Sequence, residues 1–111
     1  GNIMNYTIEE RAAFVSTSLQ GYITASYEDL VKVFGEPQYD TPSGDGKVDV
    51  EWEMNILDED HNAIRPFTIY NWKDYDAGRT ARSTPNYRWH IGGTSGVVSM
   101  FVNEYFEKKV A

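Results

Sequence analysis

The sequence predicts an α+β domain, in which a single antiparallel β-sheet of about four strands carries helices packed on one face. The main observation is residues 47–56, "KVDVEWEMNI", in which apolar and polar residues alternate strictly. A period of two is typical of a half-buried antiparallel strand. Other segments place apolar residues at helical spacing behind capping signals. The predicted element order is α-β-α-β-β-β-α, in one layer of strands and one of helices.

Capping signals and β-forming residues define the elements of the N-terminal half. A Thr-x-x-Glu box begins at Thr7, with apolar residues at helical spacing behind it, and predicts a first helix over about 8–16. "SLQGYITA", residues 18–25, predicts a strand. Ser26 begins a second capping box, and the helix that follows it is expected to end at Gly35 and Pro37.

The C-terminal half predicts three strands and a closing helix. The strand at 47–56 is followed by the turn "LDEDHNA" and by a returning strand at 66–73, "PFTIYNWK". Residues 74–86 predict a long exposed loop. "YRWHI", residues 87–91, predicts the last strand, with Tyr87, Trp89 and Ile91 facing the core. "VVSMFVNEYFEKKV", residues 97–110, predicts the closing helix.

Composition limits the class of protein. The 111 residues fit a single domain over 1–111, and a hydrophobic content of 41% is enough for a core. The chain has no cysteine, which excludes disulfides and thiolate sites and suits a reducing cytoplasm. Its net charge of −7 argues against direct nucleic-acid binding. No apolar run approaches the roughly 20 residues that span a membrane.

His90 is the first candidate for a functional side chain. If Trp89 faces the core, then Arg88 and His90 project from the other face of the sheet, as do the polar residues of 47–56. The favoured interpretation is a solvated sheet face on which Arg88 and His90 lie opposite carboxylates. The other histidine, His61, falls in a predicted turn without metal-ligand spacing. We therefore expect no metal and no cofactor.

An acidic run is the second candidate. Residues 49–60 carry six carboxylates and no Lys or Arg. Along a strand, alternate carboxylates project on one side at about 6.5–7 Å, close to the phosphate spacing of nucleic acid. A solvated face is the simpler interpretation, and an acidic surface for a basic partner is the functional one. Its residues are Asp49, Glu51, Glu53, Asp58, Glu59 and Asp60.

The acidic turn does not carry a complete calcium loop. Asp58, Asp60 and Asn62 match the first ligand positions of such a loop, but Ala63 replaces its glycine and Ile69 stands where the loop has its last glutamate.

The third candidate is the segment "GGTSG", between the last strand and the closing helix. A strand-to-helix turn exposes backbone N–H groups that can hold an anion. The spacing is neither that of a P-loop nor that of a dinucleotide fingerprint, so a tight turn with a Ser or Thr cap is the favoured interpretation. The alternative is a nucleotide-like ligand held by Trp72, Arg88, His90, Gly92, Gly93, Thr94 and Ser95. Arg79 and Arg82 could add positive charge to such a pocket, and Tyr70 and Tyr75 could add rings for stacking.

Four segments together resemble a family of small bacteriophage-encoded proteins of unknown function. They are "QGYITASYEDL", "FGEP", "TIYNWK" and "WHIGG", and the resemblance spans about residues 17–96. The family supplies no active site to carry over. It implies that Gly21 and the turn at Gly92–Gly93 mark a close backbone approach or a ligand site. It also implies a host-cell cytoplasmic location and a role in binding, such as inhibition of a host defence protein.

Three functions follow as hypotheses, and none of them is enzymatic, because no nucleophile or acid–base constellation is recognisable. The first is a non-enzymatic phage protein that inhibits or modulates a bacterial host protein through the acidic surface. The second is a nucleotide or cyclic-nucleotide sponge that uses "WHIGGTSG". The third is a structural homo-oligomer, such as a homodimer paired through an edge strand or the closing helix.

Overall fold

Five antiparallel strands form one sheet in the computed structural model, which describes residues 6–10, 17–40, 48, 50–60, 62–72 and 79–111. The spatial order of the strands is β1-β3-β4-β5-β2. In chain order, the described elements are β1 (Thr7–Glu10), β2 (Ser18–Ala25), α1 (Tyr27–Phe34), β3 (Glu51–Leu57), β4 (Ala63–Tyr70), α2 (Arg79–Ser83), β5 (Tyr87–Gly93) and α3 (Val97–Val110).

The α+β class and the single antiparallel sheet are therefore confirmed, with five strands in place of about four. The strands β2, β3, β4 and β5 correspond to the four predicted ones. The predicted boundaries of α1 and α3 match the structure, and Ser26 caps α1 by accepting a hydrogen bond from the Asp29 backbone N–H. The element order differs from the prediction in two places.

The first difference is at the N-terminus, where the predicted helix over about 8–16 is wrong. Residues Thr7–Glu10 form β1, in which Ile8 pairs with Ile56 of β3. Only a few apolar residues supported the helical period. Pairing with an available sheet edge outweighs so weak a local preference. The rest of that predicted helix, residues 11–16, lies outside the described residues.

The second difference is within residues 74–86, predicted to be an exposed loop. Arg79–Ser83 forms α2, and its Ala81 is fully buried in the core. A single apolar residue in a polar segment gives no periodic signal, so the sequence pattern could not show this turn of helix. Residues 74–78 lie outside the described part of the chain.

All three described helices pack on the same face of the sheet. Phe34 of α1 contacts both Phe67 of β4 and Phe106 of α3, at ring-centroid distances of 6.4 Å each. Ala81 of α2 belongs to the same buried cluster. The sheet contributes alternate residues to this core, as the period of two predicted; the fully buried ones include Trp52, Phe67, Ile69, Trp89 and Ile91.

A close approach between β2 and α3 depends on Gly21. A β-carbon at this position would lie 2.2 Å from Ser99 Oγ and 2.7 Å from Ser99 Cβ. Only glycine therefore lets α3 lie this near the sheet. Nearby, Asn103 of α3 donates a side-chain hydrogen bond to the Tyr22 carbonyl oxygen at 3.0 Å. The helix thus covers part of the outer edge of β2.

Candidate functional site

The face of the sheet opposite the helices carries the candidate site. Register places a row of four residues across four strands: Tyr22 of β2 pairs with His90 of β5, His90 with Tyr70 of β4, and Tyr70 with Glu51 of β3. Because neighbours across a sheet point to the same side, all four side chains project from this face. We call it the open face, since no described helix packs on it.

Aromatic rings contact one another along this row. The His90 ring lies 5.1 Å from Tyr22 in an edge-to-face arrangement and 5.4 Å from Tyr70 in a stacked one. Trp72, just beyond the end of β4, lies 6.2 Å from both Tyr70 and His90. Arg88 places its guanidinium 4.2 Å from the centre of the Tyr22 ring, within the range of a cation–π interaction. These five residues form the aromatic patch of the open face.

His90 therefore lies in a different environment from the predicted one. Its cross-strand neighbours are two tyrosines rather than carboxylates, and its side chain is half-buried rather than solvated. The sequence identified its face correctly, because Trp89 and Ile91 on either side are fully buried. The cross-strand neighbours of His90 depend on strand order. Strand β5 lies between β2 and β4, and the acidic strand β3 is one place further away.

Trp72 is held in place by the residue before it. Asn71 is fully buried, and its side-chain Oδ1 accepts a hydrogen bond from the Val50 backbone N–H at 2.9 Å. The Asn71 backbone N–H in turn donates to the Val50 carbonyl oxygen at 3.2 Å. This pair of bonds extends the β3–β4 pairing by one residue. Trp72 consequently projects from a fixed point of the chain, with 39% of its surface exposed.

The acidic residues fall into two separate groups. Glu51 and Glu53 lie on the open face, opposite Tyr70 and Thr68 of β4, and both are half-buried. The Glu53 backbone N–H also donates a hydrogen bond to the side-chain Oε1 of Gln38. Asp49, expected to extend this group, lies outside the described residues.

The second acidic group is the turn between β3 and β4. Asp58 Oδ1 accepts hydrogen bonds from the backbone N–H groups of Asp60 and Asn62, both at 2.9 Å, so this carboxylate shapes the turn. Glu59 and Asp60 are exposed. His61, predicted to lie in this turn, is outside the described residues. Within the described ranges, no three His, Asp or Glu side chains are grouped closely enough to hold a metal ion.

The residues of "WHIGGTSG" do not lie together on one surface. Gly92 is on the open face, whereas a β-carbon on Gly93 would meet Val98 Cγ2 of α3 at 2.7 Å, on the core side. Ser95 Oγ accepts a hydrogen bond from the Val97 backbone N–H at 3.4 Å, near the start of α3. Thr94 is exposed in the turn. Of the residues expected to hold a nucleotide, only Trp72, Arg88, His90 and Gly92 share a face.

A cleft of about 210 Å³ is located at the β3 side of the aromatic patch. Gly92 makes the packing of its floor possible, since a β-carbon there would lie 2.6 Å from Thr68 Oγ1 and 3.1 Å from Thr17 Oγ1. Thr68 is only 2% exposed. We call this cavity the Trp72 cleft; its lining residues are Thr17, Val48, Glu51, Thr68, Tyr70 and Trp72.

The carboxylate of Glu51 affects the Tyr70 hydroxyl in the Trp72 cleft. Burial raises the pKa of the Tyr70 hydroxyl, and the charge of Glu51, followed by the nearby Tyr22, raises it further. A carboxylate that disfavours tyrosinate must lie close to the phenol. Among the described residues, the lining includes this one carboxylate and no Lys or Arg. The geometry thus combines a negative charge, two aromatic rings and hydroxyl groups in one cleft.

No family model matches the chain, and no curated protein is significantly similar to it. Among the described helices, none is long and apolar enough to cross a membrane.

Sequence reasoning had identified most residues of the open face but not their grouping. Trp72, Arg88 and His90 were candidates for the nucleotide site and Glu51 for the acidic surface, and the sheet brings all four to one face. Tyr22 was not singled out as a member of a site, and Tyr70 was considered only as a ring available for stacking on a nucleotide. Their orientation could have been inferred from the alternation along each strand. Each tyrosine is adjacent in sequence to a buried isoleucine, Ile23 or Ile69, and so points to the opposite face.

Proposed function

We propose that this chain is a non-enzymatic binding protein that engages a partner protein through the open face. The observation that carries the proposal is the row of contacting rings, Tyr22, His90 and Tyr70, with Trp72 and Arg88 beside it. Tyr, Trp and Arg are the side chains that most often dominate binding energy at protein interfaces. Rings that already hold one another in place lose little conformational entropy on binding.

Charge supports a basic partner. Glu51 and Glu53 border the aromatic patch on the β3 side, and the chain carries a net charge of −7. Opposite charge on a partner would speed association and fix its orientation. The resemblance to bacteriophage proteins supplies the class of partner: a protein in the cytoplasm of the bacterial host, such as a defence factor, which the chain would inhibit or modulate.

The proposal assigns partner binding to only one of the two acidic groups. Glu51 and Glu53 share the face of the aromatic patch, whereas Asp58 is used to shape the β3–β4 turn. We therefore assign the partner contact to the open face and assign no contact to Glu59 and Asp60.

Affinity capture from a bacterial lysate with matched variants tests this assignment. The wild-type chain should retain a host protein in stoichiometric amount, and Tyr22→Ala with Trp72→Ala should abolish its capture. Glu51→Lys with Glu53→Lys should weaken capture, whereas Glu36→Lys with Glu107→Lys, an equal charge change at two exposed positions, should not. Capture that survives loss of both rings would refute the proposal. Capture lost only in Glu59→Lys with Asp60→Lys would move the site to the turn.

A nucleotide is the second candidate ligand, favoured by one observation: Arg88, Trp72 and His90 share a face, as the nucleotide hypothesis requires. A base could stack on the exposed Trp72 ring while Arg88 neutralises a phosphate. The negative charges of Glu51 and Glu53 on the same face would repel the phosphate of a nucleotide. Native mass spectrometry after incubation with host extract decides between the two: a bound mass of a few hundred daltons, lost in Arg88→Ala, would favour the nucleotide.

A further inference from the structure

We propose that Arg88, held over the ring of Tyr22, is a carboxylate-binding site that receives an aspartate or glutamate side chain of the partner protein. The inference rests on the proposed function, because it names one chemical group by which the partner would be recognised. It gives the partner a negative group in addition to the basic character proposed from the charge of the chain.

The Tyr22 ring is a fixed support for the arginine. The Tyr22 carbonyl oxygen accepts a hydrogen bond from the Asn103 side chain of α3 at 3.0 Å, and the ring contacts His90 edge-to-face at 5.1 Å. The Arg88 guanidinium lies 4.2 Å from the centre of the ring, the shortest cation–π distance among the described residues. The guanidinium is therefore held in place before a ligand arrives, so that little conformational entropy is lost on binding.

The N–H groups of Arg88 are accessible to an acceptor from outside the chain. A cation–π contact consumes no N–H donor, and a guanidinium has five of them. Arg88 is exposed, and within the described part of the chain no carboxylate forms an ion pair with it. Arg82 differs, because its guanidinium donates to the Asp40 carbonyl oxygen at 2.9 Å. Arg88 can therefore offer two parallel N–H donors to an incoming oxyanion.

Thr24 adds a hydroxyl beside the guanidinium. Thr24 of β2 and Arg88 of β5 are cross-strand partners, so their β-carbons lie about 5 Å apart on the open face. Both side chains are exposed. A carboxylate that meets the guanidinium is then within reach of the Thr24 O–H as a further donor.

A single arginine favours a carboxylate over a phosphate group. The described strands contain one other arginine, Arg65, which pairs with the buried Ile56 and so lies on the helix side. Recognition of phosphate groups commonly uses a cluster of arginines. The net charge of −7 further disfavours a ligand group with two negative charges. One guanidinium matches the single charge and the planar geometry of a carboxylate.

Titration of the full chain with sodium benzoate, which replaces sodium chloride at constant ionic strength, tests the site directly. The Arg88 Nε–H and the Thr24 backbone N–H are the reporters in ¹H–¹⁵N spectra. The Nε–H of Arg79, an exposed arginine of α2, is the reference. Both reporters should shift in a saturable way while the reference stays still. Benzamide, which has the same shape without the charge, should give no saturable shift.

Three variants separate a binding role from a structural one. Arg88→Lys keeps the positive charge but lacks the planar set of N–H donors, and should weaken benzoate affinity by about ten-fold. Arg79→Lys, the same change on α2, should leave affinity at the wild-type value. Thr24→Val should weaken affinity by several-fold through loss of the hydroxyl. A purely structural role for Arg88 would instead lower the denaturation midpoint of Arg88→Lys and leave its benzoate affinity unchanged.

A second probe separates a carboxylate ligand from a phosphate. No saturable shift at Arg88, an equal shift with benzamide, or wild-type affinity in Arg88→Lys would overturn the carboxylate site. A clear preference for phenylphosphonate over benzoate would also overturn it, and would favour the nucleotide as the ligand of this arginine.

Capture of the host protein distinguishes this inference from the proposed function. Arg88→Lys should reduce capture, whereas Arg79→Lys should not. Capture that requires Tyr22 and Trp72 but tolerates Arg88→Lys would overturn the contact between Arg88 and a partner carboxylate and leave the binding face in place. Benzoate binding at Arg88, together with capture that survives loss of both rings, would refute the proposed function and leave a carboxylate site whose ligand is not that partner.

Discussion

The two faces of the sheet use aromatic residues for different purposes. On the helix-covered face, Trp52, Phe67 and Trp89 are fully buried, and the two tryptophans donate their indole hydrogen bonds to backbone carbonyls. On the open face, Tyr22 and Trp72 are each 39% exposed. Rings on the first face hold the domain together, since burial of apolar area stabilises folding. Rings on the second face contribute less to stability, because more of their surface stays exposed.

Truncating one ring on each face should give the largest contrast in stability. Phe67→Ala removes a fully buried ring that contacts Phe34, so the free energy of unfolding should fall by about 3–5 kcal/mol. Tyr22→Ala removes a partly exposed ring and its contacts with His90 and Arg88, at a cost of about 1 kcal/mol. Denaturant unfolding of both variants measures the difference. Equal losses would mean that the open face is part of the core.

A smaller effect is expected where the helix layer meets the sheet. Gly21→Ala places a β-carbon 2.7 Å from Ser99 Cβ, so β2 and α3 must move apart, at a cost of about 1–3 kcal/mol. Ser99→Gly in the same chain should recover part of that loss, because it removes the obstructing side chain. Gly96→Ala is the matched control, since its nearest neighbour would be Gln20 Oε1 at an ordinary 3.7 Å. A loss in Gly21→Ala that Ser99→Gly does not reduce would contradict the close approach.

The smallest expected effect is a dependence on alkaline pH that arises on the helix side. The Tyr6 hydroxyl donates a hydrogen bond to the Phe101 carbonyl oxygen of α3 at 3.1 Å. Burial raises the pKa of Tyr6 from 10.0 to about 12, and the negative charge of Glu104 and its hydrogen bond with the phenol add to this rise. The folded chain therefore keeps the phenol proton where the unfolded chain has lost it.

The sign of the pH effect follows from the raised pKa. The contribution of Tyr6 to stability is complete below pH 10.0 and is lost as pH rises towards about 12. Tyr6→Phe should flatten part of the alkaline fall in the denaturation midpoint. An alkaline profile that Tyr6→Phe leaves unchanged would show that this phenol does not couple to folding.

The sequence predicted the sheet faces well because alternation along a strand is local. Strict alternation in β3 gave the orientation of Trp52 and Glu51 before any partner strand was known. Cross-strand neighbours depend on strand order, which no local pattern encodes, and so Tyr22 and Tyr70 beside His90 were missed. The same limit applies at Thr7–Glu10, where pairing with β3 replaced the helix that the capping pattern favoured.

The Trp72 cleft was beyond prediction for a related reason. Its walls come from different parts of the chain, and its floor depends on Gly92 lying directly above Thr68. A glycine pair in a sequence indicates a turn or a close approach without saying what is approached. The structure shows that Gly92 faces hydroxyl groups on the open face, whereas Gly93 faces α3.

Oxidative footprinting of the complex tests the central claim, that the open face is the binding surface, most directly. The chain, alone and with its captured host partner, would be exposed to hydroxyl radicals, and the oxidation of Tyr22, Trp72 and Met100 would be measured by mass spectrometry. Met100 is the control, because it is 51% exposed on α3, in the helix layer. The account predicts strong protection of Tyr22 and Trp72 with Met100 unchanged. Protection of Met100 with Tyr22 and Trp72 unchanged would contradict it.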